Sequence, residues 1–469
     1  MSKKKRTTKG NGIGTLITLV VVILFGAVYS LLGSDPLGLS SPEASATPIL
    51  VAPTEAPTEL SITEVMPTLM PLPLTETAIT ELPPTDAPTT QVEAPTALVE
   101  TSTAIVEAPT LQAATSLPAQ PTQTPTPAWW QVYFVNPIKI SDTNADIYSK
   151  NGIPAEMMNG SIAEKLIQRI NQATKSIHIA SYEFDLTDVA KALIQAKQRG
   201  VDVRWITDDE AGIEADTKPG HGQFKMLEDA GIPIIDDKRG GLMHNKFWIF
   251  DGQTTWTGST NITISGIFQQ NNNVIVIESP ELASIYERQF EDMWSGKFNA
   301  KSPSTIDQQK LTVNGINIQV LFSPEDNAIS HILPYIQQAQ NSVYFMAFTY
   351  THPDLGNAML QKALAGVTVS GVFEATGSDS EYGQMVKLFC NKVPVRQDGN
   401  GSFMHSKTII VDERYVITGS LNFTDNANKT NNENVIILDD PTLARLYIEE
   451  FQRVWAAGKD PNPAKITCK

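Results

Sequence analysis

Two stretches of the chain carry the same chemistry-bearing side chains at the same spacing. His244 and Lys246 are followed by Asp251, then by Gly258, Ser259 and Asn261. His405 and Lys407 are followed by Asp412, then by Gly419, Ser420 and Asn422. Both read HxK(x)4D(x)6GSxN without a gap, 161 positions apart. Imidazole is both a nucleophile and a proton carrier near neutral pH. Ammonium groups offset anionic charge, and primary amides donate hydrogen bonds. Two of each on matched frames make a two-sided phosphate site.

The frame itself is legible. KFWIFDGQTTWTGS and KTIIVDERYVITGS each read as strand, tight turn, strand, and His and Lys at i and i+2 share one face of the strand. Asp251-Gly252 is a strong hairpin dipeptide and Asp412-Glu413 a weaker one. Gly258 and Gly419 have no Cβ, so backbone can approach a phosphate closely there.

Around these hairpins the chain alternates strands and helices. Ser161 and Glu164 form a capping box that opens a helix running to about Thr174. A strand at 176–182, a helix at 186–199 stopped by Gly200, a strand at 201–207, a short helix at 224–230 and a strand at 232–236 precede the first motif. A strand at 274–278 and a helix to about Ser295 follow it. The second half repeats the order: helix 325–340, strand 342–348, helix 353–366, strand 367–373, helix 382–389 and strand 393–397, then the motif, strand 435–438 and helix 441–456. This pattern predicts an α/β fold of two duplicated domains, 129–300 and 301–469, each a mixed β-sheet flanked by helices and related by a pseudo-two-fold axis.

The 128 residues before them are of another kind. Residues 1–12 are basic, and 13–33 hold an uncharged apolar run long enough to cross a bilayer. The basic flank predicts a signal anchor with a cytoplasmic N-terminus and an extracytoplasmic catalytic region; a cleaved signal peptide is the rival reading. Residues 34–128 contain 17 of the chain's 30 prolines and no Lys or Arg, which predicts a disordered tether. Net charge is −16, of which −10 falls on residues 129–469. An acidic catalytic region is a poor trap for polyanionic nucleic acid. Cys390 and Cys468 are the only cysteines. They could pair in an oxidising compartment; two unrelated thiols is the plainer reading.

The doubled motif resembles the hallmark of the phospholipase D superfamily, and Met243 and Met404 before the two histidines are similar to its bacterial nuclease-like branch. The resemblance covers residues 129–469. It implies a two-step phosphodiester exchange: one histidine attacks phosphorus, and the other protonates the leaving alcohol and then activates water. Family habit makes His244 the nucleophile and His405 the acid. Lys246 and Lys407 would offset charge on the non-bridging oxygens, Asn261 and Asn422 would donate to them, and Ser259 and Ser420 would support this shell. Asp251 and Asp412 are expected to pin their hairpins by Asx-type bonds. The resemblance implies no metal or cofactor and no obligate protein partner. A carboxylate often follows the catalytic histidine in this family. Glu433 lies 28 residues after His405; the matching position after His244 is Asn272. Read within each half, Glu433 would orient His405 and favour its charged form.

Other side chains have plainer roles. His178 reads as a core histidine, His221 as a surface-loop histidine, and His331 and His352 as structural or exposed. Trp129-Trp130 read as packing at the domain start, and Trp248, Phe250 and Trp256 as core. Asp208, Asp209, Glu210, Glu214 and Asp216 read as a solvated acidic lid. The leading expectation is a phospholipase D-type hydrolase of phospholipid headgroup esters, held at the membrane by its N-terminal helix. The alternatives are an extracellular metal-independent endonuclease acting on nucleic acid, a phosphatidyltransferase, and a non-catalytic lipid or phosphate binder.

Overall fold

Strand β1 (Trp130–Phe134) is the first element of a computed structural model that describes residues 129–238, 240–299 and 302–468. The apolar segment 13–33 and the tether 34–128 lie outside the described residues. Among the described residues no helix is long and apolar enough to cross a membrane.

The first half continues with β2 (Ser176–Ser181), β3 (Asp202–Thr207), β4 (Ile234–Asp236), the hairpin β5 (Lys246–Phe250) and β6 (Thr254–Gly258), and β7 (Asn273–Glu278). The second adds β8 (Lys310–Val313), β9 (Ile316–Ser323), β10 (Ser342–Ala347), β11 (Thr368–Phe373), β12 (Val395–Gln397), the hairpin β13 (Lys407–Val411) and β14 (Tyr415–Gly419), and β15 (Glu433–Asp439). The sheets run β1-β7-β6-β5-β2-β3-β4 and β12-β11-β10-β13-β14-β15-β9-β8. Each is mixed: β2, β3 and β4 are parallel, as are β10, β11 and β12, and the other pairs are antiparallel. β1 and β9 are equivalent, and β8 is an addition to the second sheet.

Both faces of each sheet are covered, so the strands read as nearly continuous apolar runs. In β5, Trp248 and Phe250 point to an outer core beneath helices 162–172 and 187–198, while Phe247 and Ile249 point inward. In β13, Ile409 and Val411 face the second outer core and Ile410 faces inward. The inner core is shared by the two halves. Helices Pro280–Trp294 and Pro441–Ala457 contribute Tyr286, Phe290, Tyr447 and Phe451 to it. Phe322 of the second half packs on Tyr286 and Phe247 of the first.

Several expectations change. Ser161 caps its helix by accepting from Glu164 N, but Glu164 reaches back to Gly160 N rather than to the capping residue. Asp251 and Asp412 do not make local Asx turns. Asp251 accepts from the backbone N–H groups of Thr174, Lys175 and Ser176, and Asp412 from those of Gln340, Asn341 and Ser342. Each ties its hairpin tip to the loop entering β2 or β10. The acidic segment is solvated only in part: Glu210 and Glu214 are exposed, but residues 209–217 wind into short helical turns, and buried Asp208 accepts from Glu210, Ala211 and Met243 N–H. Cys390 and Cys468 are joined in a disulfide, with Cα atoms 5.5 Å apart, so the plainer reading of two separate thiols is wrong. Trp248, Phe250, Trp256 and His178 are buried as expected. His178 stacks on Phe290 between Glu287 and Asp202. His352 is buried beside Asp425.

Candidate active site

The two hairpins position the motif side chains identically. Asp251-Gly252 and Asp412-Glu413 all have positive φ, the geometry of a tight two-residue turn whose twist matches the strands. At the far end of each hairpin, Gly258 and Gly419 both have φ +147°. A Cβ at either would lie 2.2 Å from the carbonyl oxygen of Asn273 or Asn434. That close approach seats Ser259 and Ser420 against β7 and β15 through Ser259 N–Asn273 O and Ser420 N–Asn434 O.

Each histidine then sits on a segment gripped by the other half. His244 N donates to Asn432 O, and Asn432 N to Leu242 O. Reciprocally, His405 N donates to Asn271 O, and Asn271 N to Phe403 O. The same exchange in both directions is what a two-fold relation between the halves requires. Each segment is also anchored by a carboxylate from its own half: Asp208 accepts from Met243 N at 3.1 Å and Glu374 from Met404 N at 2.7 Å.

This exchange overturns the expected pairing within each half. Glu433 does not orient His405; its Oε2 lies 2.8 Å from His244 Nδ1. Asn272 lies instead beside His405, with Oδ1 3.0 Å from Nδ1, and Ser259 O is 3.1 Å from the same nitrogen. Asn272 Nδ2 donates to Gly266 O, so its oxygen is the atom that faces the ring. Ser420 Oγ donates to Glu433 Oε2 and Ser259 Oγ to Asn272 Oδ1, giving both serines their supporting role. With acceptors on both Nδ1 atoms, each ring holds a proton there, which leaves Nε2 as the nitrogen free to act on a substrate. Asn431 also donates to Glu433 Oε1.

The cations close the site. Lys246 Nζ donates to His244 O and lies 5.0 Å from the Tyr182 ring centre; Lys407 Nζ donates to His405 O and lies 4.7 Å from that of Phe348. Tyr182 and Phe348 meet His244 and His405 edge to face. All four basic groups are buried, and their positive forms are disfavoured. Burial and the charges of both lysines hold both imidazoles well below the usual histidine range. Burial brings Lys246 down to about 8, and burial together with Lys246 lowers Lys407. Burial pushes Glu433 up to about 8 against the pull of Lys246. A buried site that crowds basic groups together in this way is one that an anion stabilises. The site therefore gathers His244, Lys246, His405, Lys407, Ser259, Ser420, Asn272 and Glu433 from both halves, and His244 lies close enough to His405 to lower its basicity.

Asn261 is the exception: its Nδ2 donates to Glu183 Oε2 at 2.7 Å rather than facing an empty position, and its Oδ1 is buried without a partner, as is that of Asn422. Glu183, Tyr182, Phe348, Asp208 and Glu374 were not singled out for the site from sequence. All five follow directly on strands β2, β3, β10 or β11, at carboxyl ends where α/β sheets gather ligands, and that position is the signal that could have found them.

A family model described as "Cardiolipin synthase, PLD-like domain" matches residues 166–294 and 332–455, more than half of the chain and both motifs. The chain is 36% identical over 142 residues to mitochondrial cardiolipin hydrolase of Homo sapiens, covering 30% of this chain and 55% of that protein. It is 30% identical over 135 residues to a phospholipase D of Rickettsia prowazekii (strain Madrid E), covering 29% and 66%. Both matches span less than two thirds of the relative. The crystal structure of phosphatidylserine synthase from Haemophilus influenzae Rd KW20 shares the fold, at TM-score 0.50 and 16% identity, over 63% of this chain and 84% of that one.

Proposed function

The chain belongs to the phospholipase D superfamily, and from that premise we propose that it is a phosphodiesterase hydrolysing phospholipid headgroup esters through a phosphohistidine on His244. The observation that carries this reading is the crossed bracing: each imidazole is oriented by the other half, so both belong to one site.

The asymmetry between the braces supports this division of roles. His244 Nε2 attacks phosphorus and becomes cationic as the P–N bond forms. Glu433, held by Ser420 and Asn431, offsets that charge as its carboxylate, the form that the growing imidazolium favours. His405 is flanked by neutral carbonyl oxygens, which stabilise its imidazolium less. Protonated on Nε2 once the anionic phosphate is bound, it is the better proton donor and gives that proton to the leaving alkoxide as the P–O bond breaks. Neutral His405 then takes a proton from water. The water oxygen attacks phosphorus and the P–N electron pair returns to His244, leaving phosphatidate and the free alcohol. Lys246, Lys407 and Asn422 stabilise the phosphoryl oxygens.

An extracytoplasmic location, tethered by residues 13–33, is part of the proposal. The Cys390–Cys468 disulfide supports it, because such bonds persist in oxidising compartments. The acidic balance of residues 129–469 favours a lipid over a nucleic acid. The test is the detergent-solubilised full chain with chelator, incubated with phosphatidylcholine micelles and separately with single-stranded DNA. The expected result is choline release with intact DNA, lost about 10⁴-fold in His244→Ala. DNA cleavage with untouched lipid would overturn the lipid reading, and turnover surviving in His244→Ala would overturn the mechanism.

A further inference from the structure

The isolated bridges Phe184↔Ile262 and Tyr350↔Phe423 set the two halves in register beyond the motif. Counting back one and two residues, Glu183 matches Thr349 and Tyr182 matches Phe348. The backbone frame is the same; the side chains are not. One flank of the phosphate site carries a phenol and a carboxylate, the other a phenyl ring and a threonine. The second flank continues outward through Phe403, which packs on Phe348 and is exposed.

Glu183 is the unexpected member. Its carboxylate receives a hydrogen bond from Asn261, a motif amide suited to phosphate oxygens. The matching Thr349 makes no such bond to Asn422 among the described residues. The fold therefore does not demand a carboxylate at this position, and an anion beside a phosphate site works against phosphate binding. Burial raises its proton affinity and nearby Asp208 raises it further, while Lys246, the bond from Asn261 and the charge of Lys218 oppose them. Of these, Lys246 is the largest opposing influence, and it also serves the phosphate. Once the phosphate has engaged Lys246, Glu183 loses the strongest part of its compensation.

We propose that Glu183 is a specificity-determining residue that selects a phosphodiester whose esterifying alcohol carries a protonated amine. A headgroup ammonium placed beside phosphate supplies a counter-charge in place of Lys246, whereas a neutral polyol headgroup supplies none. Tyr182 adds a hydroxyl on the same flank. The apolar flank of Phe348 and Phe403 takes the rest of the molecule. This inference rests on the lipid-hydrolase reading and names its headgroup class.

The test compares phosphatidylethanolamine with phosphatidylglycerol in the same detergent micelles, using the full chain and its Glu183→Gln and Glu183→Thr variants. The wild type is expected to prefer the amine by about tenfold or more in kcat/KM, and both variants to lose that ratio. Glutamine keeps an acceptor for Asn261 and threonine does not, so a residue that only positions Asn261 would leave the ratio intact in both variants, with both rates falling together in Glu183→Thr; that result would overturn the proposal. Calorimetric binding of glycerophosphoethanolamine and glycerophosphoglycerol to the His244→Ala chain reads the same ratio without turnover. A wild type that hydrolyses neither lipid sinks the hydrolase reading, and equal binding of the two soluble diesters sinks the assignment of Glu183.

Discussion

The hairpin frames of the two halves are near-copies, while the groups that brace their histidines differ. Asp251 accepts from Lys175 N at 2.7 Å and from Ser176 N at 3.0 Å; Asp412 accepts from Asn341 N and Ser342 N at the same two distances. Gly258 and Gly419 share one φ and one close contact. Against that shared scaffold, His244 faces a carboxylate and His405 faces an amide and a backbone carbonyl. The comparison teaches that the duplicated hairpins keep one geometry while the brace differs in charge, a carboxylate for one imidazole and an amide for the other, and under the proposed mechanism that difference divides the labour between them.

The division of labour can be broken at Glu433. Three donors converge on its carboxylate: His244 Nδ1, Ser420 Oγ and Asn431 Nδ2. An amide cannot accept from all three, and one orientation turns its NH₂ toward His244 and forces the wrong tautomer. Glu433→Gln is expected to lower kcat by about 10³–10⁴-fold, measured by steady-state kinetics. Loss under tenfold would mean that the carboxylate is not the counter-charge of the intermediate.

The shared frame can be broken at its glycines. Gly258→Ala and Gly419→Ala should each cost about 3–5 kcal/mol, combining backbone strain at positive φ with overpacking against a carbonyl oxygen. Denaturant unfolding checks this. Costs that differ widely between the two would show that the frames are not equivalent.

The comparison can be sharpened by making the braces alike. In the native site, burial and Lys407 depress His405, so kcat/KM should fall as pH rises through a value below the ordinary histidine range. Asn272→Asp places a carboxylate beside His405 Nδ1 and favours imidazolium. The high-pH limb should move up by about one unit, equivalent to about 1.4 kcal/mol. The same change removes the bond from Asn272 Nδ2 to Gly266 O, costing about 1–3 kcal/mol of stability. A limb that stays in place would argue that His405 is not the proton donor.

Much of this was legible in the chain. The helices show in apolar periodicity, and the hairpins in their turn residues, because these are local properties. β1 was missed because it is a short edge strand whose partner, β7, lies some 140 residues away. The β8–β9 hairpin was missed although Asn314-Gly315, both at positive φ, announce it between alternating residues. The motif residues were found by repetition. The bracing was misread because Asn272 and Glu433 each stand 28 residues after a histidine, which invites pairing within a half. Sequence spacing carries no trace of the backbone exchange that hands each histidine to the other half. Glu183 escaped because it lies outside the repeated phrase and has no acidic counterpart in the second half.

The central claim is that His244 alone becomes phosphorylated. A phosphodiester with a nitrophenol leaving group needs no acid, so the His405→Ala chain should complete the first step and stall before the second. Acid quenching and peptide mass spectrometry should then find the phosphoryl adduct on His244 of that variant, and none in His244→Ala. An adduct on His405 of the unmodified chain, or turnover in His244→Ala with its own adduct on His405, would contradict the account.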